Sequence, residues 1–140
     1  MTDFAAAREN MVESQVRPNG VTDRRILDAM AAVAREDFVP DQRRAIAYMD
    51  EDVDLGNGRA LMEAMAFGRL LQLAEITPAD KVLMVGDGMG YGAAVVAQLA
   101  GAVVALEQDS GLAAAARRRL SGLANVTAVE GKLAEGCKAH

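Results

Sequence analysis

The sequence predicts an α/β fold, with a doubly wound, mostly parallel sheet preceded by a helical segment. Three short apolar runs, at residues 82–85, 102–107 and 126–130, alternate with two helical patterns in the second half of the chain. The order β-α-β-α-β predicts parallel strands with helices packed on the sheet. The first half, in contrast, is mainly helical in pattern. We therefore predict a helical segment over residues 1–78 and half of a sheet domain over residues 79–140.

The first half opens with two predicted helices. Residues 5–16 have a helical composition, and the run "RPNG" at residues 17–20 interrupts it. Thr22 is a favoured N-cap residue, and apolar side chains after it recur at helical spacing to about residue 34. Two helices separated by a short break are therefore expected here.

An acidic stretch precedes a third predicted helix. Residues 50–58 read "DEDVDLGNG", whose four acids and two glycines predict a loop with a short strand at residues 53–55. Methionines, alanines and leucines then mark one face of a helix over residues 60–75.

The second half predicts the strands and helices of the sheet domain. Residues 82–85 are wholly apolar, which is typical of a parallel strand covered on both faces. A glycine-rich turn at residues 86–90 leads into a helix over residues 91–99. A second helix, over residues 112–120, lies between the second and third strands.

Composition and charge exclude several classes of function. The 140 residues carry a formal net charge of −5, without the basic footprint of a nucleic-acid-binding protein. Cys137 is the single cysteine and His140 the single histidine, so we predict neither a disulfide nor a metal site. No apolar run approaches the ~18 residues of a membrane span. The sequence predicts a soluble, cytoplasmic protein with no nucleic-acid or membrane partner.

The main candidate site is a glycine-rich loop. Gly86, Gly88 and Gly90 directly follow the first predicted strand of the sheet, with Asp87 and Met89 between them. Glycines allow a sharp turn and let a ligand approach the backbone N–H groups at the start of a helix. We predict that these five residues bind a cofactor, and a tight turn without a ligand is the alternative.

An acidic residue ends the second strand at the matching place. Glu107 lies 21 residues after Gly86, where a carboxylate can accept hydrogen bonds from both hydroxyls of an adenosine ribose. Gln108 follows it and is also a candidate. A dinucleotide site prefers G-x-G-x-x-G, but a count from Gly86 ends on Tyr91, and a count from Gly88 fits only the loose form. The spacing favours S-adenosylmethionine over a nicotinamide dinucleotide.

The residues before the loop carry a more specific signal. Residues 11–40 read "MVESQVRPNGVTDRRILDAMAAVAREDFVP" and residues 47–58 read "AYMDEDVDLGNG". They resemble the protein-L-isoaspartate O-methyltransferase family, which typically has M-x-x-Q-x-R…G-I-x-D…V-L-x-A-M…V-P-R-E-x-F-V-P and then A-Y-x-D…L-P-I-G-x-G. Further on, "VLMVGDGMGY" is similar to the family's V-L-E-x-G-x-G-S-G-Y. The resemblance covers essentially the whole chain.

This resemblance implies a Rossmann-like class I methyltransferase fold with an N-terminal helical cap and S-adenosylmethionine as the cofactor. The implied activity is methyl esterification of isoaspartyl carboxylates in damaged proteins, a protein-repair reaction whose partner is an isoaspartyl-containing protein or peptide. The implied cofactor residues are the loop, Glu107, Gln108, Gly131 and Lys132. The acceptor carboxylate is already ionised at neutral pH, so attack on an activated methyl group needs no general base.

Two departures from the family pattern affect the cofactor side. Met84 stands where the family has an acid that helps to bind the cationic end of the cofactor, and Asp87 is the candidate replacement. Lys132 stands where the family has an aspartate that meets the adenine amino group. Lysine has no acceptor and cannot take over that hydrogen bond.

On the substrate side, residues 59–64 lack the hydroxyls of the family's Q-T-I-S-Q-P segment. Arg59 and Glu63 are the substrate-side candidates there, and no residue is assigned a catalytic role. The chain also stops after the third strand, which would leave the strand at residues 82–85 as an edge. We expect either a truncated piece of a longer protein or a homo-oligomer that covers this edge. A degenerate relative that folds or dimerises without methylating is the alternative function.

Overall fold

The first of two units, Met1–Ile76, contains three α-helices and a β-hairpin in the computed structural model, which describes residues 1–140. Short 3-10 helices connect these elements between the second helix and the hairpin. The elements in chain order are α1 (Phe4–Met11), α2 (Arg24–Ala32), β1 (Val53–Gly56), β2 (Arg59–Leu61) and α3 (Ala64–Ala74).

Aspartate side chains cap the first two helices. Asp3 accepts a hydrogen bond from a backbone N–H in the first turn of α1, and Asp23 does the same for α2. The prediction of Thr22 as the cap of α2 is wrong by one residue, because the Asp23 carboxylate reaches the free N–H groups instead. The chain stays helical over the predicted residues 5–16, although the last turns after α1 have π and then 3-10 hydrogen bonding. Gly20, with φ of 89°, ends this segment.

The short strand predicted at residues 53–55 is confirmed as β1, but it is part of a β-hairpin and does not lead directly into a helix. β1 and β2 pair antiparallel, with Gly56 opposite Arg59. Asn57 and Gly58 form the two-residue turn, at φ of 54° and 73°. The predicted helix start at residue 60 is therefore wrong, since the backbone there is paired in β2. An Asn-Gly pair between alternating apolar residues is the signal that predicts such a hairpin.

A glycine lets α3 pack closely on the segment that follows α1. A Cβ atom on Gly68 would lie 2.9 Å from Val16 Cγ1 and 3.2 Å from Val21 Cγ2. Val16, Val21 and Met30 are fully buried around this contact. The core of the first unit therefore depends on a small residue in α3.

A buried polar network lies inside the first unit. The Arg35 side chain is 0% exposed, and its guanidinium donates to the carbonyl oxygens of Ala47 at 2.7 Å and Met62 at 2.8 Å. The Tyr48 hydroxyl accepts the Arg35 backbone N–H at 3.0 Å and donates to the Glu36 carboxylate. Burial, followed by the hydrogen bond to Glu36, raises the pKa of Tyr48 to about 12. The network satisfies polar groups that burial would otherwise penalise.

Replacing Tyr48 with phenylalanine is expected to lower the free energy of unfolding by about 2 kcal/mol, because buried partners of the hydroxyl lose their hydrogen bonds. Urea denaturation of the two chains measures this change. Ser121→Ala is the control, since it removes an exposed hydroxyl and should change the free energy by less than about 0.5 kcal/mol. Equal effects of the two substitutions would contradict the role of the Tyr48 hydroxyl.

The second unit, Thr77–His140, is a three-stranded parallel sheet with two helices. The strand order is first-second-third, and the pairing is regular, with Leu83 opposite Val104 and Glu107 opposite Glu130. The elements in chain order are β3 (Lys81–Val85), α4 (Tyr91–Val96), β4 (Ala102–Glu107), α5 (Ser110–Leu120) and β5 (Val126–Glu130).

The prediction that the first strand of this sheet is covered on both faces is wrong. β3 lies at the edge of the sheet and pairs only with β4. Leu83 is 43% exposed and Val85 is 53% exposed, whereas Val82 and Met84 between them are half-buried. Burial alternates because one face of β3 packs and the other is open. The central strand β4, in contrast, is buried from Val103 to Glu107.

The helices of the second unit differ from the prediction at their ends. α4 is shorter than the predicted residues 91–99, because the hydrogen bonding changes to tighter turns at Gln98 and Leu99. α5 begins at Ser110, earlier than predicted, since the Asp109 carboxylate accepts the Leu112 N–H at 2.9 Å and caps it. No helix of the structure combines the length and the apolar character that a membrane crossing requires.

Candidate cofactor site

The candidate cofactor residues of the second unit lie together at the end of the sheet where the carboxyl ends of its strands meet. The glycine loop follows β3, Glu107 ends β4, and Gly131 follows β5. Backbone hydrogen bonds join these ends, from Gly86 N–H to Leu106 O at 2.8 Å and from Gly131 N–H to Glu107 O at 3.0 Å. Ligands of open α/β sheets bind at the carboxyl ends of the strands. The structure therefore brings the predicted loop, Glu107, Gln108 and Gly131 together.

The glycine loop has a backbone that requires its glycines. Gly86, Gly88 and Gly90 have φ of 71°, 62° and 103°, in the left-handed region that other residues rarely adopt. A Cβ atom on Gly90 would also lie 2.8 Å from Leu120 Cδ1. Met89, between the glycines, is 6% exposed and anchors the loop in the core. The backbone of the loop therefore depends on glycine at these three positions.

Glu107 holds this loop against the sheet. Its side chain is almost fully buried, and Oε1 accepts the Gly88 N–H at 2.9 Å. Oε2 accepts the N–H groups of Gln108 at 2.6 Å and Asp109 at 2.9 Å. A carboxylate offers about four acceptor positions, so these three donors use most of them. Glu107 is therefore a structural anchor of the site, and its predicted bond to a ribose stays a prediction.

Gln108 follows the central strand β4, and Lys132 lies shortly after the outer strand β5, at the same end of the sheet. The Gln108 side-chain oxygen accepts the Leu133 N–H at 3.1 Å, which ties the end of β4 to the segment after β5. Lys132 is highly exposed, and its ammonium group lies 3.7 Å from Glu135. The Gln108 side chain thus stabilises the carboxyl end of the sheet, whereas the Lys132 side chain forms a surface ion pair.

Asp87 turns its carboxylate toward the first turn of α4. Oδ2 accepts the Ala93 N–H at 2.8 Å. Burial raises the pKa of Asp87 to about 7, against the lowering effect of the Ala93 and Gly92 N–H groups, and the charge of Glu107 raises it further. The prediction that Asp87 replaces the acid missing at position 84 stays a prediction, but its carboxylate does stabilise the turn.

Met84 reaches the same place from β3. A Cβ atom on Gly92 would lie 2.6 Å from Met84 Cε and would overlap Asp87 Oδ1. The Met84 and Asp87 side chains therefore both pack against Gly92. The sequence analysis did not identify Gly92 as part of the site. The sequence does contain a sign of this role, because Gly92 is the third glycine of the run "GMGYG" that begins at Gly88.

The buried carboxyl of Asp87 predicts a pH-dependent stability. Between about pH 4 and pH 7 the folded chain keeps a proton that Asp87 has released in the unfolded chain. The stability that Asp87 contributes is therefore fully present below about pH 4 and is lost as the pH rises through about 7. The free energy of unfolding, compared between the wild-type chain and Asp87→Asn across this range, measures it. A difference that stays constant with pH would contradict the raised pKa.

The two substrate-side candidates lie in the first unit, around β2. Arg59 begins β2 and is half-buried. Glu63 directly precedes α3, and its backbone N–H donates to Asp52 Oδ1 at 2.8 Å. Arg59 thus lies in the hairpin and Glu63 in the connection between the hairpin and α3, and their role toward a substrate stays a prediction.

Residues 6–140 match the family model described as protein-L-isoaspartate(D-aspartate) O-methyltransferase. The protein-L-isoaspartate O-methyltransferase of Koribacter versatilis is 39% identical over 138 residues, which cover 97% of this chain and 62% of that protein. Protein-L-isoaspartate O-methyltransferase 2 of an Anaeromyxobacter species is 41% identical over 116 residues, covering 83% of this chain and 48% of that protein. The chain spans about half to three-fifths of the length of these relatives.

Two solved structures have a fold similar to that of this chain. A protein-L-isoaspartate O-methyltransferase matches with a TM-score of 0.79 at 24% identity, over 93% of this chain and 44% of that chain. A putative enzyme of this name from Plasmodium falciparum, solved in complex with S-adenosyl-L-homocysteine, matches with a TM-score of 0.68 at 16% identity, over 94% of this chain and 64% of that chain. These matches confirm the predicted class I methyltransferase fold. The family model over residues 6–140, with relatives near 40% identity, shows that the chain belongs to the protein-L-isoaspartate(D-aspartate) O-methyltransferase family.

Proposed function

We propose that this chain is an S-adenosylmethionine-dependent methyltransferase that esterifies isoaspartyl carboxylates in damaged proteins. The observation that carries the proposal is the glycine loop, which Glu107 holds at the carboxyl end of β3 in a member of this family. The related Plasmodium protein has been solved with S-adenosyl-L-homocysteine, the product that remains after methyl transfer. The residues present fit such a cofactor, because glycines with positive φ turn the loop sharply at the carboxyl end of β3, where ligands of such sheets bind.

The chain's own residues act by binding and orientation. When bound, S-adenosylmethionine supplies a methyl group activated by a sulfonium. The loop backbone and Glu107 fix where the cofactor lies, and Arg59 is the proposed donor to the acceptor carboxylate, since a guanidinium binds carboxylates in a bidentate way. The acceptor is ionised at neutral pH and needs no proton removal, so positioning and exclusion of water account for the rate enhancement.

Calorimetric titration with S-adenosyl-L-homocysteine tests the cofactor part of this proposal. The expected result is saturable binding that Gly88→Val abolishes, because valine cannot adopt the φ of 62° at that position. Absence of binding by the wild-type chain at millimolar ligand would overturn the proposed function. Transfer of labelled methyl groups to an isoaspartyl peptide, with the matched aspartyl peptide as control, tests the acceptor.

A second candidate is a relative that binds the cofactor weakly or not at all and does not methylate. Lys132 favours it, because its ammonium group pairs with Glu135 at the surface and offers no acceptor to an adenine amino group. Restoring an acceptor with Lys132→Asp separates the two candidates. A large gain in S-adenosyl-L-homocysteine affinity would support the degenerate relative, whereas measurable binding by the wild-type chain that the substitution leaves unchanged would support the enzyme.

A further inference from the structure

Asp87 carries the carboxyl group of the glycine loop and has no cationic partner in the chain. Its Oδ2 accepts the Ala93 N–H at 2.8 Å, and the Gly92 N–H also stabilises the carboxylate. No lysine or arginine acts on it, whereas Glu107 at the end of β4 adds a second negative charge. A carboxylate beside another carboxylate is costly in its charged form. The loop therefore holds a carboxyl group that a positively charged ligand would stabilise.

The Asp87 side chain ends at the same place as that of Met84. A Cβ atom on Gly92 would lie 2.3 Å from Asp87 Oδ1 and 2.6 Å from Met84 Cε. β3 itself contains no acidic residue, so the carboxyl group at this place comes from the loop and not from the strand. Asp87 is half-buried, which leaves part of the residue open to solvent at the end of the sheet where the candidate cofactor residues lie.

Few titratable groups surround Asp87. Glu107 is the charged group that acts on it, and Tyr91 is the only titratable residue of α4. The only one in β3 is Lys81, at the opposite end of the strand. α5 reaches the loop through Leu120, against which Gly90 packs, and brings no charge that acts on Asp87. Since burial raises the pKa of Asp87 to about 7, its charge changes near neutral pH.

We propose that Asp87 is the counter-ion of the cofactor's cationic amino end, and that it gives up its proton when the cofactor binds. This statement rests on the proposed function, because S-adenosylmethionine and S-adenosyl-L-homocysteine both carry an α-ammonium group. Beside an ammonium group the charged form of a carboxyl is favoured, and its pKa falls. The proton passes to solvent, and no covalent bond of the ligand changes.

The direction of the pH effect follows from the ligand-free chain. Below about pH 7 this chain holds a proton on Asp87 that must leave when the ligand binds, so the affinity falls as the pH falls. Above about pH 7 the group is already charged, and the affinity levels off. An opposite charge lowers a carboxyl pKa by about one to three units, and each unit corresponds to about a tenfold change in affinity. S-adenosyl-L-homocysteine should therefore bind about tenfold more weakly, or weaker still, at pH 5.5 than at pH 8.

Calorimetric titration with S-adenosyl-L-homocysteine, repeated in two buffers with different ionisation enthalpies, counts the protons released. Release is expected near pH 6 and not at pH 8. Asp87→Asn keeps an acceptor for the Ala93 N–H but cannot ionise, so it should release no proton and bind with an affinity that does not change with pH. Asp80→Asn is the matched control, because Asp80 is exposed just before β3 and its loss should leave the proton release unchanged.

A second ligand tests the assignment without a substitution. 5′-Methylthioadenosine has the adenosine and a thioether but no amino end, so the wild-type chain should bind it equally at both pH values. Proton release with this ligand, no release with S-adenosyl-L-homocysteine near pH 6, or an unchanged pH dependence in Asp87→Asn would overturn the inference while the proposed function stands. Absence of S-adenosyl-L-homocysteine binding at both pH values would overturn the proposed function and the inference together.

Discussion

Replacing Glu107 with glutamine is expected to lower the free energy of unfolding by about 3 kcal/mol and to weaken S-adenosyl-L-homocysteine binding by about tenfold or more. The carboxylate accepts three backbone N–H groups, two of them on Oε2. An amide offers one oxygen in its place and turns an NH₂ group toward at least one of these donors. The loop at Gly88 then loses its anchor on β4. Urea denaturation and calorimetry measure the two effects.

Glu130→Gln is the matched control for this prediction. Glu130 lies directly opposite Glu107 in the parallel ladder but is exposed. The same chemical change there should alter the free energy of unfolding by less than about 0.5 kcal/mol. Similar losses in the two variants, or normal cofactor affinity in Glu107→Gln, would show that the loop does not depend on the Glu107 carboxylate.

Replacing Arg35 with methionine is expected to lower the free energy of unfolding by about 3 kcal/mol. The buried guanidinium holds two carbonyl oxygens from separate parts of the first unit, at Ala47 and Met62. Methionine matches the length of the side chain but donates nothing, so both carbonyl oxygens lose these donors inside the protein. Thermal or urea unfolding measures the loss.

Arg24→Met separates this effect from the loss of a positive charge. Arg24 pairs with Asp28 on the surface, where its side chain is 78% exposed. Exposed pairs of this kind contribute little, so a change below about 0.5 kcal/mol is expected. An Arg35→Met chain as stable as Arg24→Met would contradict the structural role of the buried arginine.

The sheet of the second unit could be predicted closely because each of its strands has a recognisable local sequence pattern. Residues 102–107 and 126–130 are strands with the predicted ends. Each is a short apolar run between polar or glycine-containing turns, and the order of strands and helices fixes parallel pairing. The position of β3 at an edge follows from which strands are present and not from its own apolar composition, which is why its covered faces were mispredicted.

The second strand of the hairpin was missed for a different reason. The residues from Arg59 to Leu61 fit the apolar spacing of α3, and helix propensity alone cannot exclude them. Pairing with β1 determines their conformation, and pairing partners lie outside any local pattern. The Asn57-Gly58 turn was the one local sign of the pairing.

The candidate cofactor site was predictable in its backbone and less so in its side chains. A backbone in the left-handed region requires glycines, which are visible in the sequence, and the position of Glu107 could be predicted because it ends a recognisable strand. The three N–H groups that Glu107 accepts, the raised pKa of Asp87 and the meeting of Met84 with Gly92 depend on three-dimensional placement. Sequence spacing cannot contain that information.

The edge position of β3 has a practical consequence for solubility. Its backbone carries an unpaired ladder, Leu83 and Val85 expose apolar side chains beside it, and Lys81 is the single charge in the strand. An uncovered strand of this composition is a template on which strands of other molecules add. Preparations of this chain should therefore aggregate increasingly as they are concentrated, and a second lysine on the open face, as in Val85→Lys, would raise the concentration at which they stay clear.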